Sequence, residues 1–165
     1  MRRQGLTVVL MALAAGGIGC DRGSDGQEVF QATLSGQNEV PVRGTAASGM
    51  AGITFDGTNV AFSIEVDDIN EVTQAHIHSG AAGVNGPVRV FLFPPPPANA
   101  PTTNAFSASE RSILTDGFFV ASDVSGVTFD QLLNEMRAGT AYVNVHTRRF
   151  PGGEIRGQVR LVDTN

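Results

Sequence analysis

Runs of seven or eight residues in which apolar and polar side chains alternate recur along most of this chain, and glycine-rich turns separate them. A period of two is the signature of a strand with one face buried. In "EVFQATL" (28–34), Val29, Gln31 and Thr33 fall on one side, and Phe30, Ala32 and Leu34 on the other. "GMAGITF" (49–55) and "NVAFSIEV" (59–66) flank Asp56-Gly57, a hairpin signal because glycine takes positive φ at little cost. Further runs follow: "VTQAHIH" (72–78), "PVRVFLF" (87–93), "GFFVASDV" (117–124), "AYVNVHT" (141–147) and "EIRGQVRL" (154–161). Short strands at this density predict an all-β domain, an antiparallel Greek-key-like β-sandwich or barrel.

One segment breaks the period. Phe129, Leu132, Leu133 and Met136 fall at i, i+3, i+4 and i+7, the stripe of a helix that packs on a core. Thr128 and Gln131 have the spacing of a capping box, and Gly139 can close the C-terminal end. The spacing therefore places one short helix before the penultimate strand. "PPPPANAP" (94–101) is stiff and poor in backbone donors, and reads as a loop between strands. No internal repeat is visible.

The first residues, "MRRQGLTVVLMALAAGGIGC", combine a positive start with an apolar stretch too short for a permanent membrane span. That is a secretory signal pattern, and "GIGC" (17–20) resembles a bacterial lipobox whose cysteine, Cys20, takes the lipid. The reading divides the chain into a lipoprotein signal peptide (1–19), a small polar tether (20–27) and one domain (28–162). It places the protein at the membrane of the bacterial cell envelope, facing the periplasm or the exterior. Cys20 is the only cysteine, so a disulfide within the chain is excluded. All 11 basic residues are arginine against 16 acidic ones, and loss of Arg2 and Arg3 with the signal moves the −5 balance to −7. A nucleic-acid partner is not expected of such a surface.

His76, His78 and His146 are the only histidines. In a strand, His76 and His78 share a face with Gln74, while Ala75 and Ile77 oppose them. Tyr142, Asn144 and His146 share a face opposite Val143 and Val145. The apolar sets belong to the interior, which leaves all three imidazoles on the outer face. If the two strands are neighbours, the histidines converge. Neutral imidazole is a ligand for zinc and copper, with copper(II) ahead in intrinsic affinity. Outer-face histidines also occur on strands as plain hydrogen-bonding residues, so convergence decides. Tyr142, Asn144, Arg148 and Arg156 are candidates to orient the ligands or to steer an anion toward them. Glu154 and Arg156 share a face, at a spacing that suits an ion pair. No Ser-His-Asp arrangement or phosphate-binding loop is recognisable.

"AHIHSGAAGVNGPVRVFL" and "YVNVHTRRFPGGEIRGQV", with "FQATLSGQNEVPV" (30–42), resemble a CHRD domain, the module named after chordin, over roughly residues 28–162. The resemblance implies an exported setting and binding rather than catalysis. "HIH" (76–78) and "NVH" (144–146) are similar to the copper-ligand strands of copper/zinc superoxide dismutase, itself a β-sandwich. Carried over, that likeness makes His76, His78 and His146 copper ligands. The segment between them holds no histidine, so the bridging and zinc-site ligands of that family have no counterpart here. Three function classes follow: a tethered module for a protein or glycan ligand, a copper- or zinc-binding protein, and a copper redox enzyme.

Overall fold

The computed structural model describes residues 27–95 and 100–164. The signal, the lipobox and nearly all of the tether lie outside the described residues, as does part of the Pro94–Pro101 loop. Among these described residues, ten antiparallel strands form one curled sheet: β1 (Glu28–Ser35), β2 (Ser48–Phe55), β3 (Val60–Asp67), β4 (Ile69–Ser79), β5 (Val88–Phe93), β6 (Phe106–Ala108), β7 (Ser112–Phe119), β8 (Ala141–Thr147), β9 (Ile155–Gln158) and β10 (Arg160–Thr164). The order is β5-β4-β8-β9-β1-β2-β3-β7, with β10 also on β1 and β6 also on β4. The ends of this path meet, since Thr115 Oγ1 on β7 donates to Leu92 O on β5 at 3.1 Å. A nearly closed barrel or sandwich results, as the strand pattern implied.

Its interior is the apolar half of each alternation. Phe30 and Leu34 of β1, Ile53 of β2, Ile64 of β3, Ile77 of β4 and Val143 of β8 are at most 1% exposed. The β2–β3 hairpin pairs Phe55 with Val60. Gly57 sits at φ +92°, and Asp56 Oδ1 accepts from the N–H groups of Thr58 (2.9 Å) and Asn59 (2.7 Å). That closes the turn with the local side-chain bond typical of aspartate.

The helix α1 (Phe129–Arg137) begins where the sequence marks it. Thr128 Oγ1 accepts from Gln131 N (3.2 Å), Gln131 Oε1 accepts from Thr128 N (2.8 Å), and Gly139 at φ +68° ends it. Leu132, Leu133 and Met136 are buried, while Phe129 packs edge-on against Phe55. Arg137 reaches Glu28 on β1 at 3.0 Å.

Three boundaries differ from the sequence pattern. Residues 117–124 are not one strand: β7 starts earlier and ends at Phe119, and Ala121–Asp123 turns as a 3-10 segment held by Asp123 Oδ2 on Val120 N. Residues 154–161 fall into two strands interrupted at Val159, whose N–H still reaches Ala141 O (2.9 Å) in the β8 register. β9 pairs with β8, and β10 pairs with β1. The helix therefore precedes the third strand from the end. β6, three residues long, is too short to show a period.

Candidate metal centre

β4 and β8 are neighbours, and their register decides the histidine question. Gln74 pairs with His146, His76 with Asn144, and His78 with Tyr142. β9 extends the same rows, Arg156 opposite Asn144 and Gln158 opposite Tyr142. The imidazoles thus share one face, and they converge. His76 Nδ1 lies 3.1 Å from His146 Nε2. Ring centroids are 4.8 Å apart for His76–His146, 5.4 Å for His76–His78 and 6.1 Å for His78–His146. One nitrogen from each ring lies within 4.8 Å of the other two.

The face is the outer one, as the alternation predicts, but it is not a surface. His76, His78 and His146 are only 2%, 7% and 6% exposed. Residues of the loops 36–47 and 80–87 roof it, and the turn after β8 closes one side. The tethers are specific. His78 Nδ1–H donates to Gly86 O (2.9 Å), and Tyr142 Oη accepts from Gly86 N (3.1 Å). His146 Nδ1–H donates to Pro151 O (3.0 Å). Asn85 Nδ2 donates to Val40 O (3.0 Å), joining the two loops.

These bonds set the tautomers. A neutral imidazole that gives its Nδ1 proton to a carbonyl keeps a lone pair on Nε2. Histidine ligands of metal ions are commonly oriented in this way. His78 Nε2 and His76 Nε2 are buried with no hydrogen-bond partner, and His146 Nε2 faces only His76. Burial holds the rings neutral. It pushes the His76 pKa down to about 2, with the neighbouring His146 and His78 adding to the effect. His146 falls to about 4, mainly by desolvation and against the bond to Pro151. His78 is lowered too, by desolvation first. Neutral imidazole is the form that binds a metal.

Around the triad the contacts are tight. His76 meets Phe91 edge-on at 4.3 Å, and Tyr142 stacks on His78 at 4.8 Å with 10° between the planes. The Arg156 guanidinium lies 4.8 Å from the Tyr142 centroid. Arg156 is buried; its Nε donates to Asn38 O (2.6 Å) and its Nη1 to Asn85 Oδ1 (2.9 Å), so it fastens both roof loops. Its counter-ion is Glu39, at 3.9 Å. Desolvation raises the Glu39 pKa, opposed by Arg156. Glu39 Oε1, Asn144 Oδ1 and Arg156 Nη2 are buried without protein partners in this layer.

Tyr142, Asn144 and Arg156 therefore border the site. Arg148 does not: it is exposed and pairs with Glu71 at 3.2 Å. The expected Glu154–Arg156 pair is replaced as well. Glu154 accepts the hydroxyls of Thr45 and Thr147, each at 2.6 Å, and Arg156 turns to Glu39. Glu39 carries no signal in the strand pattern, because loop residues have no period, and only its place in the quoted family blocks marks it; Asn85 and Gly86 fall in the glycine-rich "GAAGVNG" (80–86), whose composition marks a loop beside the histidines.

No curated protein and no solved structure was found to match the chain. The likeness to copper/zinc superoxide dismutase thus rests on its two short histidine strands alone. The CHRD domain model matches residues 30–159, nearly all of the sheet and every residue of the histidine layer. On that match, the chain belongs to the CHRD domain family.

Proposed function

We propose that this protein is an exported, membrane-anchored CHRD binding module whose His76, His78 and His146 hold one metal ion. The observation that carries the reading is the convergence of three neutral imidazoles, two of them, His78 and His146, fixed through Nδ1 by backbone carbonyls, with Nε2 of His76 and His78 left without a hydrogen-bond partner. Copper and zinc are the ions that suit such donors. Burial of this degree fits retention of an ion better than turnover of a substrate, so the binding reading stands ahead of a copper redox enzyme. Superoxide turnover by the copper-loaded protein separates those two. The signal pattern and "GIGC" support anchoring through Cys20; fatty-acid labelling that is lost in Cys20→Ser tests it.

A second reading, a protein or glycan ligand, is favoured by a cleft of about 700 Å³ beside the roof loops. Gln31, Gln37, Asn38, Gln158 and Arg160 line it with donors. It is compatible with the first reading.

Thermal unfolding tests the metal. An ion at 100 times its Kd stabilises by about 2.7 kcal/mol. For a domain of this size that is a rise of about 5–10 °C in Tm. The rise is expected with copper or zinc and is absent in His76→Ala/His146→Ala. An equal rise in both proteins sinks the assignment.

A further inference from the structure

We infer that the triad is built for monovalent copper rather than for a divalent ion, a step that rests on the metal reading above. Donor type alone does not make this choice, since imidazole takes zinc and copper alike. Charge and coordination number make it.

The donor set is neutral. Among the described residues, no carboxylate or thiol joins the three histidines. Asn144 Oδ1, an unpartnered oxygen on the cross-strand neighbour of His76, is also neutral. The nearest buried cation is already present: Arg156 lies over Tyr142, which stacks on His78. Both buried carboxylates nearby are committed elsewhere: Glu39 is the counter-ion of Arg156, and Glu154 accepts the hydroxyls of Thr45 and Thr147. A dication would enter the site with no anionic ligand and with a guanidinium nearby. The cost of burying charge grows with its square, so a dication costs about four times as much as a monocation.

Coordination number points the same way. Structural zinc takes four ligands, and copper(II) prefers tetragonal sites. A closed-shell copper(I) ion is content with three. Three rings whose centroids form a triangle of 4.8, 5.4 and 6.1 Å, under a roof that leaves none of them more than 7% exposed, supply three donors and little access for a water molecule.

The test uses the full chain in detergent micelles on a Cys20→Ser background, which removes a competing soft thiol. Copper(I) affinity is read anaerobically against bathocuproine disulfonate, and zinc(II) and copper(II) affinities against chromophoric chelators. The expected result is one equivalent of copper(I), bound at least about a hundredfold more tightly than either dication. X-ray absorption on the same protein should show three nitrogen scatterers and no fourth ligand, a readout that needs no variant. Equal or tighter binding of zinc(II) or copper(II), or a four-coordinate copper(I) spectrum, overturns the inference and leaves the metal site standing. Failure of all three ions to bind overturns the metal site itself.

Discussion

Acid should dismantle the metal-free domain through its histidines. Their pKa values in the folded protein are depressed, to about 2 for His76 and about 4 for His146, against about 6.5 in an unfolded chain. The unfolded state therefore binds protons that the folded state refuses. Stability from these two groups is fully present above pH 6.5 and drains away as pH falls below it. Each group contributes a slope of about 1.4 kcal/mol per pH unit. Between pH 7 and pH 4.5 the two together remove about 5 kcal/mol, comparable with the whole stability of a modest domain. His78 adds to the loss, since its pKa is lowered as well. Glu39 works in the opposite sense: its raised pKa stabilises the fold as pH falls through it, which trims the total. Urea titrations followed by far-UV circular dichroism at pH 7, 5.5 and 4.5 read the effect. With a slope of about 2 kcal/mol per molar, the midpoint should fall by about 2 M. The His76→Gln/His146→Gln variant should show a much shallower decline. A midpoint that does not move with pH in the parent, or that moves equally in the variant, refutes the reasoning.

Other perturbations have equally definite outcomes. Arg156→Met strands Glu39 in a buried layer and unfastens both roof loops; it should cost about 3–5 kcal/mol in chemical denaturation, and Glu39→Gln should recover part of that loss. Gly86→Ala drives a Cβ into the backbone carbonyl of Ser79, so the loop must leave the position from which it holds His78 and Tyr142. Metal affinity should fall in that variant even though all three ligands remain, as isothermal titration would show. Thr128→Ala removes the helix cap and should cost about 1 kcal/mol without touching metal affinity.

The sheet was largely legible because one physical rule, the alternation of faces, governs it. β8 falls on the residues that alternation marks, and so do the buried Val143 and Val145. The same rule placed His76, His78 and His146 on one outer face. It failed on what covers that face. In β8 both faces are buried, because loops 36–47 and 80–87 fold over the outer one. Coverage by a loop leaves no period in the strand beneath it. Partner choice was hidden for a related reason: Arg156 and Glu154 share a face, yet Arg156 is claimed by Glu39, 117 positions away in a loop. The break at Val159 is invisible in "EIRGQVRL" because it lies in the backbone pairing of β9 and β10, not in the side-chain pattern.

The central claim is that His76, His78 and His146 form a metal site, and metal content tests it most directly. The full chain is purified in detergent, incubated with trace copper and zinc, dialysed and analysed by inductively coupled plasma mass spectrometry beside the His76→Ala/His146→Ala variant. One equivalent of metal per chain, absent from the variant, is the expected result. No retained metal in the parent, or the same content in both proteins, would contradict it.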